Sequence, residues 1–243
     1  MKIAVTGKGG VGKTSIAAAL GIILSRDKDV ILVDADPSLN LATVFNRDDI
    51  TPISKMKELA DERARLPDGL VRMNPEVRDI VDRYAVEVQE RLKLLVAGTV
   101  TEAGKGCMCP ENAILRSLLQ EIVLKRDEIV IVDMEAGLEP MSRGTIRRVD
   151  SILIVTEADR NSVSVTKRLM KFASDLGIGN AVVVANKVRD DGELKFLKKE
   201  LEIDHSIPFD DEFMKLFRAG KTTTDTKFHT SVSKLADLVR EYE

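Results

Sequence analysis

The chain has 243 residues, 44% of them hydrophobic and 32% charged, with a formal net charge of -3 at pH 7. These values are typical of a soluble globular chain long enough for one α/β domain. The near-neutral charge gives no reason to expect a nucleic-acid partner, and no apolar run approaches the length of a membrane span. Because the first predicted strand begins almost at Met1 and leaves no room for a signal peptide, we expect a cytoplasmic protein without membrane contact.

A glycine-rich segment near the start of the chain, Gly7–Thr14, fits the pattern G-x-x-x-x-G-K-S/T of the phosphate-binding P-loop. The β-prone stretch Lys2–Thr6 precedes it, and the helix-prone stretch Ser15–Leu24 follows it. In this order of strand, turn and helix, backbone N–H groups of the turn and the helix N-terminus can surround phosphate oxygens. The sequence therefore predicts a nucleotide site at this turn.

Two side chains of this segment have expected roles. Lys13 is expected to reach the β- and γ-phosphates, and Thr14 to place its hydroxyl on Mg²⁺. The alternative, a glycine-rich turn that binds nothing, leaves the match of both motif and context unexplained. The nucleotide-binding residues predicted from the motif are Gly9, Gly10, Val11, Gly12, Lys13, Thr14 and Ser15.

Apolar strands alternate with helical stretches along the rest of the chain, which predicts a mostly parallel sheet flanked by helices, in one domain over residues 1–243. The further predicted strands are Asp29–Asp34, Gly69–Met73, Leu92–Val96, Glu128–Asp133, Ser151–Thr156, Ala181–Asn186 and Ile203–Ile207. The further predicted helices are Ile53–Arg65, Pro110–Lys125, Ser162–Leu176, Asp211–Arg218 and Val232–Tyr242.

Acidic side chains stand where predicted strands end, which is the edge at which parallel sheets bind ligands. Asp133 follows four apolar residues and fits a Walker B acid, which holds Mg²⁺ directly or through water. Asp34 and Asp36 end the second strand, and Asp36 is placed to orient or deprotonate an attacking water. The alternative for each aspartate is a polar strand end without a chemical role.

A second lysine, Lys8, stands five residues before Lys13. The resulting pattern K-G-G-x-G-K-T resembles the deviant Walker A ATPases, the relatives of MinD, ParA and the nitrogenase iron protein. The resemblance implies the MinD-like fold of the SIMIBI class of P-loop NTPases. It also implies that Lys8 reaches across a dimer to the partner's nucleotide, that Asp36 is catalytic, and that Asp34 is its magnesium-side partner.

Three further segments resemble this family. Asp133–Gly137 is similar to its switch II, which implies that the backbone N–H of Gly137 binds the γ-phosphate; Glu135 departs from the family pattern and its role stays open. Asn186 and Lys187 resemble the adenine-side residues after the penultimate strand.

Pro208 lies in the segment Ile207–Phe209, which resembles the loop that closes over the base. Asn186-Lys187 also begins the GTPase pattern N-K-x-D, but Val188-Arg189 does not complete it. We therefore expect ATP and ADP as the nucleotides.

The only two cysteines, Cys107 and Cys109, stand one residue apart, just before the predicted helix that begins at Pro110. A helix N-terminus and the nearby Lys105 both favour thiolates, which bind Zn²⁺, Ni²⁺, Cu⁺ or iron–sulfur clusters. Two sulfurs are half of a tetrahedral site, and a two-fold dimer would complete it. The alternative is a pair of reduced thiols without function. The two histidines, His205 and His229, are poor candidates as further ligands.

With this C-x-C segment added, the chain resembles the CooC-type accessory ATPases of nickel carbon monoxide dehydrogenase maturation. The resemblance implies a homodimer, dependent on metal and nucleotide, that holds Ni²⁺ through Cys107 and Cys109 of both chains. It implies that ATP hydrolysis drives nickel insertion into carbon monoxide dehydrogenase, the client. Zn²⁺ is expected in the isolated protein, because four thiolates suit it.

Two alternatives stay open. The first is an iron–sulfur ATPase of the nitrogenase iron protein type, although no cysteine follows Asp133 here. The second is a positioning ATPase like MinD or ParA, which needs a basic DNA-binding face or an amphipathic membrane anchor. The C-terminal stretch Leu238–Glu243 lacks a basic face with bulky apolar anchors.

Overall fold

The computed structural model describes residues 1–99, 109–125, 127–134, 149–220 and 225–242. The eight strands in these ranges form one sheet with the order β3-β4-β2-β5-β1-β6-β7-β8. Seven of them run parallel, and the edge strand β3 pairs with β4 in the antiparallel sense. The strands are β1 Lys2–Gly7, β2 Val30–Ala35, β3 Val86–Gln89, β4 Leu92–Val96, β5 Ile129–Met134, β6 Ser151–Thr156, β7 Ala181–Val188 and β8 His205–Pro208.

Helices cover both faces of the sheet, so the central strands are buried along their whole length. One face carries α1, α2 and α9, and the other carries α3, α5, α6 and α7. The described α-helices are α1 Lys13–Leu24, α2 Asn40–Val44, α3 Lys57–Ala64, α4 Ile80–Tyr84, α5 Pro110–Lys125, α6 Arg160–Asp175, α7 Asp191–Glu200, α8 Asp211–Arg218 and α9 Lys227–Arg240. The predicted fold, a mostly parallel sheet flanked by helices, is confirmed. No helix among the described residues is both long and apolar enough to cross a bilayer.

One predicted strand is wrong. Gly69–Met73 belongs to a tight turn whose only ladder contact is a single antiparallel bridge between Arg65 and Val71. Leu70, in its middle, is 63% exposed. The stretch has the composition of a strand but no neighbour to pair with, and tertiary context overrides such weak local preferences.

Other differences lie at element ends and at the sheet edge. The predicted helix Ile53–Arg65 divides into a 3₁₀ turn, Ile53–Lys55, and the helix α3. The helix α4 and the edge strand β3 carry no strong sequence signal, because α4 has five residues and β3 has four.

The centre of the sheet positions the candidate site. β1 lies between β5 and β6, and β5 in turn pairs with β2. The carboxyl ends of β1, β2, β5 and β6 therefore meet at one edge, where parallel sheets form ligand crevices. Gly7 ends β1 so close to β6 that a Cβ atom there would overlap the carbonyl oxygen of Val155.

The buried imidazole of His229 makes the stability of the fold depend on pH. His229 lies at the start of α9, with its ring edge-on to Phe228 and Phe213. Burial lowers the pKa of His229, with Arg26 acting in the same direction and Asp210 opposing both.

The folded protein thus binds this proton less readily than the unfolded chain, whose histidine pKa is about 6.5. The contribution of neutral His229 to stability is therefore lost as pH falls below about 6.5. We predict that the urea midpoint of the wild type falls more between pH 7.5 and pH 5.5 than that of His229→Asn. Equal falls in the two proteins would contradict this prediction.

Candidate functional site

A cavity of about 590 Å³ opens at the carboxyl edge of the sheet above β1, within the size range of small-molecule sites. Three parts of the chain form its wall. The turn between β1 and α1 contributes Gly9, Gly10, Gly12, Lys13 and Thr14; the segment after β2, through α2, contributes Asp36, Ser38, Asn40, Thr43, Val44 and Asn46; the end of α8 contributes Phe217, Arg218 and Gly220.

The turn after β1 has the backbone that a P-loop needs. Gly10 and Gly12 have φ angles of 84° and 97°, in the left-handed region that favours glycine. A side chain on Gly12 would also overlap the amide of Asn186. The helix α1 begins at Lys13 directly after the turn, so its N-terminal N–H groups border the cavity. The predicted strand, turn and helix are therefore present as predicted.

Lys13 is buried in the cavity wall, and its ammonium donates a 3.4 Å hydrogen bond to the carbonyl oxygen of Lys8. This is a long bond for a charged donor. A buried cation with so weak a partner is a good site for an anion.

Thr14 and Asp133 meet at the floor of the site. The hydroxyl of Thr14 donates to Oδ2 of Asp133 at 2.6 Å, while the buried Oδ1 of Asp133 has no hydrogen-bond partner among the described residues. Burial raises the pKa of Asp133 to about 7, although the Thr14 hydrogen bond acts in the opposite direction. An unpartnered carboxylate oxygen beside a hydroxyl is the donor set that a hard divalent cation prefers, so these residues fit Mg²⁺.

Asp34 and Asp36 lie at the end of β2 but face different surroundings. Asp34 is fully buried, and its two oxygens accept hydrogen bonds from the backbone N–H groups of Asp36, at 3.2 Å, and Leu41, at 3.0 Å. Its burial raises its pKa to about 6. Asp36 lines the cavity and accepts from the N–H of Ser38 at 2.8 Å. Asp34 thus orders the segment that presents Asp36.

Lys8 belongs to a charged cluster beside the turn. Its ammonium lies 3.1 Å from Oδ2 of Asp159 and 3.9 Å from Oε1 of Glu157. Asp159 also caps α6 by accepting from two backbone N–H groups. Glu157 lies 3.3 Å from the ammonium of Lys187, so the four side chains form a continuous cluster of alternating charge.

Asn186 and Lys187, predicted on the adenine side, hold the P-loop backbone in this structure. The Asn186 amide donates to the carbonyl oxygen of Val11 at 2.8 Å. The ammonium of Lys187 donates to the carbonyl oxygen of Gly10. Pro208 ends β8 at an exposed position outside the cavity wall.

The wall formed by α2 and by the end of α8 was not predicted from the sequence as part of the site. Phe217 lies on the apolar side of a correctly predicted helix, where a core position is the ordinary interpretation. The missing signal is tertiary, because only the fold shows that this helix end comes next to the P-loop.

The cysteine segment is described only at its end. Cys109 is half-buried directly before α5, and its carbonyl oxygen accepts from Ala113 N–H at 3.1 Å. The predicted residues Cys107, Glu135 and Gly137 lie outside the described residues. Among the residues that the structure does describe, no group of three or more His, Cys, Asp or Glu side chains is placed to hold a metal ion.

The fold and this site define a P-loop nucleotide-binding domain, and comparison with known proteins agrees. Residues 2–223 match the model of the CobQ/CobB/MinD/ParA nucleotide-binding domain family. The chain is 41% identical to an uncharacterized ATP-binding protein of Methanocaldococcus jannaschii, covering 98% of this chain and 97% of that one. It is 40% identical to the carbon monoxide dehydrogenase accessory protein CooC of Rhodospirillum rubrum, covering 93% and 90%.

The chain therefore belongs to the CobQ/CobB/MinD/ParA family, and the prediction that it is an ATPase is confirmed. Solved structures share the fold. A chain of the MinC:MinD cell division protein complex of Aquifex aeolicus has a TM-score of 0.71 at 19% identity, covering 99% of this chain and 95% of that one. MinD of Pyrococcus horikoshii OT3 complexed with Mg-ADP has a TM-score of 0.66 at 18% identity, covering 98% and 95%.

The bond from Asn186 to the P-loop leads to a prediction. Asn186→Ala leaves the carbonyl oxygen of Val11 without its amide partner, so the turn becomes less ordered. We expect the ATP dissociation constant, measured by calorimetry, to rise about tenfold, the effect of roughly 1.4 kcal/mol.

The matched control is Asn180→Ala. The Asn180 amide also donates to a backbone carbonyl oxygen, that of Asp150, at 2.9 Å. This bond lies where β6 and β7 begin, at the opposite edge of the sheet from the site. Both variants should lose similar thermal stability, but only Asn186→Ala should lose affinity. Unchanged ATP binding in Asn186→Ala would show that the turn keeps its shape without this bond.

Proposed function

We propose that this protein is a CooC-type metallochaperone that uses ATP hydrolysis to drive nickel insertion into carbon monoxide dehydrogenase. The observation that carries the proposal is the 40% identity to a carbon monoxide dehydrogenase accessory protein over nearly the whole chain. The C-x-C segment of Cys107 and Cys109 supplies thiolate ligands that can bind this cargo.

In the proposed ATPase mechanism, each part of the site acts on one part of the nucleotide. The P-loop from Gly9 to Ser15 binds the phosphates through its backbone, and Lys13 places its charge at the β- and γ-phosphates. Thr14 and Asp133 would hold Mg²⁺, which supplies charge neutralisation at the phosphates when bound. Asp36, held by the Ser38 N–H at 2.8 Å, orients the attacking water.

Asp34 supports this mechanism by ordering the segment that carries Asp36, since its oxygens bind two backbone amides of that segment. A direct contact to magnesium, expected from the resemblance, stays a prediction, as does the γ-phosphate contact of Gly137. The resemblance also predicts adenine contacts for Asn186, Lys187 and Pro208, but none of these residues lines the cavity.

The proposed cargo site spans two chains. Cys109 precedes α5 directly, so the α5 N-terminus stabilises its thiolate. One chain supplies two sulfurs and a closed tetrahedral site needs four ligands, so a homodimer would hold one Ni²⁺ between the two cysteine pairs. An ion that binds the dimer better than the monomer also stabilises the dimer.

Lys8 gives a test of the proposed dimer mechanism. In the proposed mechanism Lys8 leaves Asp159 and reaches the nucleotide of a second copy. We expect Lys8→Ala to bind ATP with near wild-type affinity but to hydrolyse it at least tenfold more slowly, measured as phosphate release.

The control is Asp159→Asn, which removes the main local partner of Lys8 while keeping the lysine. If Lys8 serves only to pair with Asp159, the two variants should lose activity equally. That result would remove the cross-subunit role.

The cysteine pair gives the test of the metal function. Replacing both Cys107 and Cys109 with Ser should abolish binding of Ni²⁺ and Zn²⁺, measured by metal analysis, while ATP binding stays unchanged. Mass measurement of the wild type with Ni²⁺ should give one metal per two chains. One metal per monomer at full affinity, or metal binding by the double-serine variant, would contradict the shared site. Absence of any metal bound by the wild type would remove the metallochaperone proposal.

A further inference from the structure

A column of aromatic rings ends in the nucleotide cavity. Phe213, on α8, stacks on Phe228, on α9, with ring centroids 4.0 Å apart and planes 18° from parallel. Phe217, one helical turn further along α8, lies 5.6 Å from Phe213. The column therefore continues from the start of α9, along α8, to its last turn.

The outer end of this column faces the phosphate-binding turn. Phe217 is 37% exposed, and it borders the same cavity as Gly12 and Lys13. An aromatic ring with free surface in the wall of this cavity provides a stacking face for a flat ligand.

The supporting helix is positioned mainly by contacts at its two ends. No residue of α8 is fully buried. At its start, Asp210 accepts from the N–H groups of Glu212 and Phe213 with one oxygen and from Phe228 N–H, on α9, with the other. One carboxylate thus fixes the start of α8 against α9, and the stacked rings fix its direction.

At its far end, α8 is joined to the opposite wall of the cavity. The Asn46 amide, just after α2, donates to the carbonyl oxygen of Gly220 at 3.3 Å. The cavity therefore has the phosphate-binding turn on one side and, on the other, a wall made of an aromatic ring and an amide bridge.

We propose that Phe217 is the stacking platform for the nucleobase of ATP. The inference rests on the proposed use of ATP and assigns the base to the wall between α2 and α8. It replaces the adenine contacts predicted for Asn186, Lys187 and Pro208, none of which lines the cavity. Every base has a π face, so a purine extends the aromatic column by one ring, and the triphosphate is left to the P-loop. Phe217 thereby determines affinity for the nucleoside part of the ligand.

The experiment compares ATP with inorganic tripolyphosphate, which has the phosphates but no base. Calorimetry with both ligands, in the presence of Mg²⁺, is done on the wild type, Phe217→Ala, Phe217→Leu and Phe217→Tyr. We expect Phe217→Ala and Phe217→Leu to weaken ATP binding about tenfold and to leave tripolyphosphate binding unchanged. Phe217→Tyr, which keeps the ring, should bind ATP like the wild type.

The matched control is Phe172→Ala. Phe172 lies on α6, outside the cavity wall, and is 38% exposed, almost the same as Phe217. It should bind both ligands like the wild type.

Wild-type ATP affinity in Phe217→Ala would overturn the stacking role. An equal loss of affinity for ATP and tripolyphosphate in Phe217→Ala would also overturn it, because the effect would then come from a change in the fold. Full ATP affinity in Phe217→Leu would overturn it too, because side-chain bulk alone would then be sufficient. The cysteine test is independent: a chain that binds no metal but loses ATP selectively in Phe217→Ala refutes the metallochaperone and supports this inference.

Discussion

The geometry of the nucleotide site depends on hydrogen bonds that side chains of β7 donate to the phosphate-binding turn. The Asn186 amide, at the end of β7, reaches the carbonyl oxygen of Val11, and Gly12 is the residue that lets it approach. Lys187 holds the preceding carbonyl group, of Gly10, in the same way. Because these carbonyl oxygens are bound by side chains of β7, the backbone of the turn is held in place beside the cavity. The P-loop is thus preorganised by a strand that lies two positions away in the sheet.

Below this turn the fold buries two carboxyl groups and the ammonium group of Lys13. Asp34 and Asp133 are both fully buried, and burial raises their pKa values to about 6 and about 7. The positive charge of Lys13 acts in the opposite direction and lowers the pKa of Asp133. Such an arrangement costs folding free energy without a ligand, and structures retain it at functional sites. A divalent cation binding at Asp133 and Thr14 would relieve that cost, so occupancy and stability should be linked.

Much of this architecture could be predicted from the sequence. The P-loop, the long apolar strands and the helices α5 and α8 have strong local patterns, and Asp133 stands where its strand pattern predicts. The prediction of a strand at Gly69–Met73 is wrong, because the composition of a segment does not show whether a second strand lies beside it. Asn186 was predicted near the nucleotide, but its bond to Val11 depends on the distance between two strand ends. Phe217 could not be found at all, since its importance comes from the packing of α8 on α9.

The pair between Lys8 and Asp159 has a consequence for how readily the site can rearrange. The two side chains are 32% and 37% exposed, and ion pairs so open to water contribute only about 0–1 kcal/mol. Lys8 can therefore leave its carboxylate at a cost comparable to thermal energy, in microseconds or less for a side chain of this exposure. The ammonium of Lys8 can therefore bind reversibly to whichever anion lies within its reach. The ionic strength of the surroundings, which screens such pairs over about 8 Å, then helps to set how often it changes place.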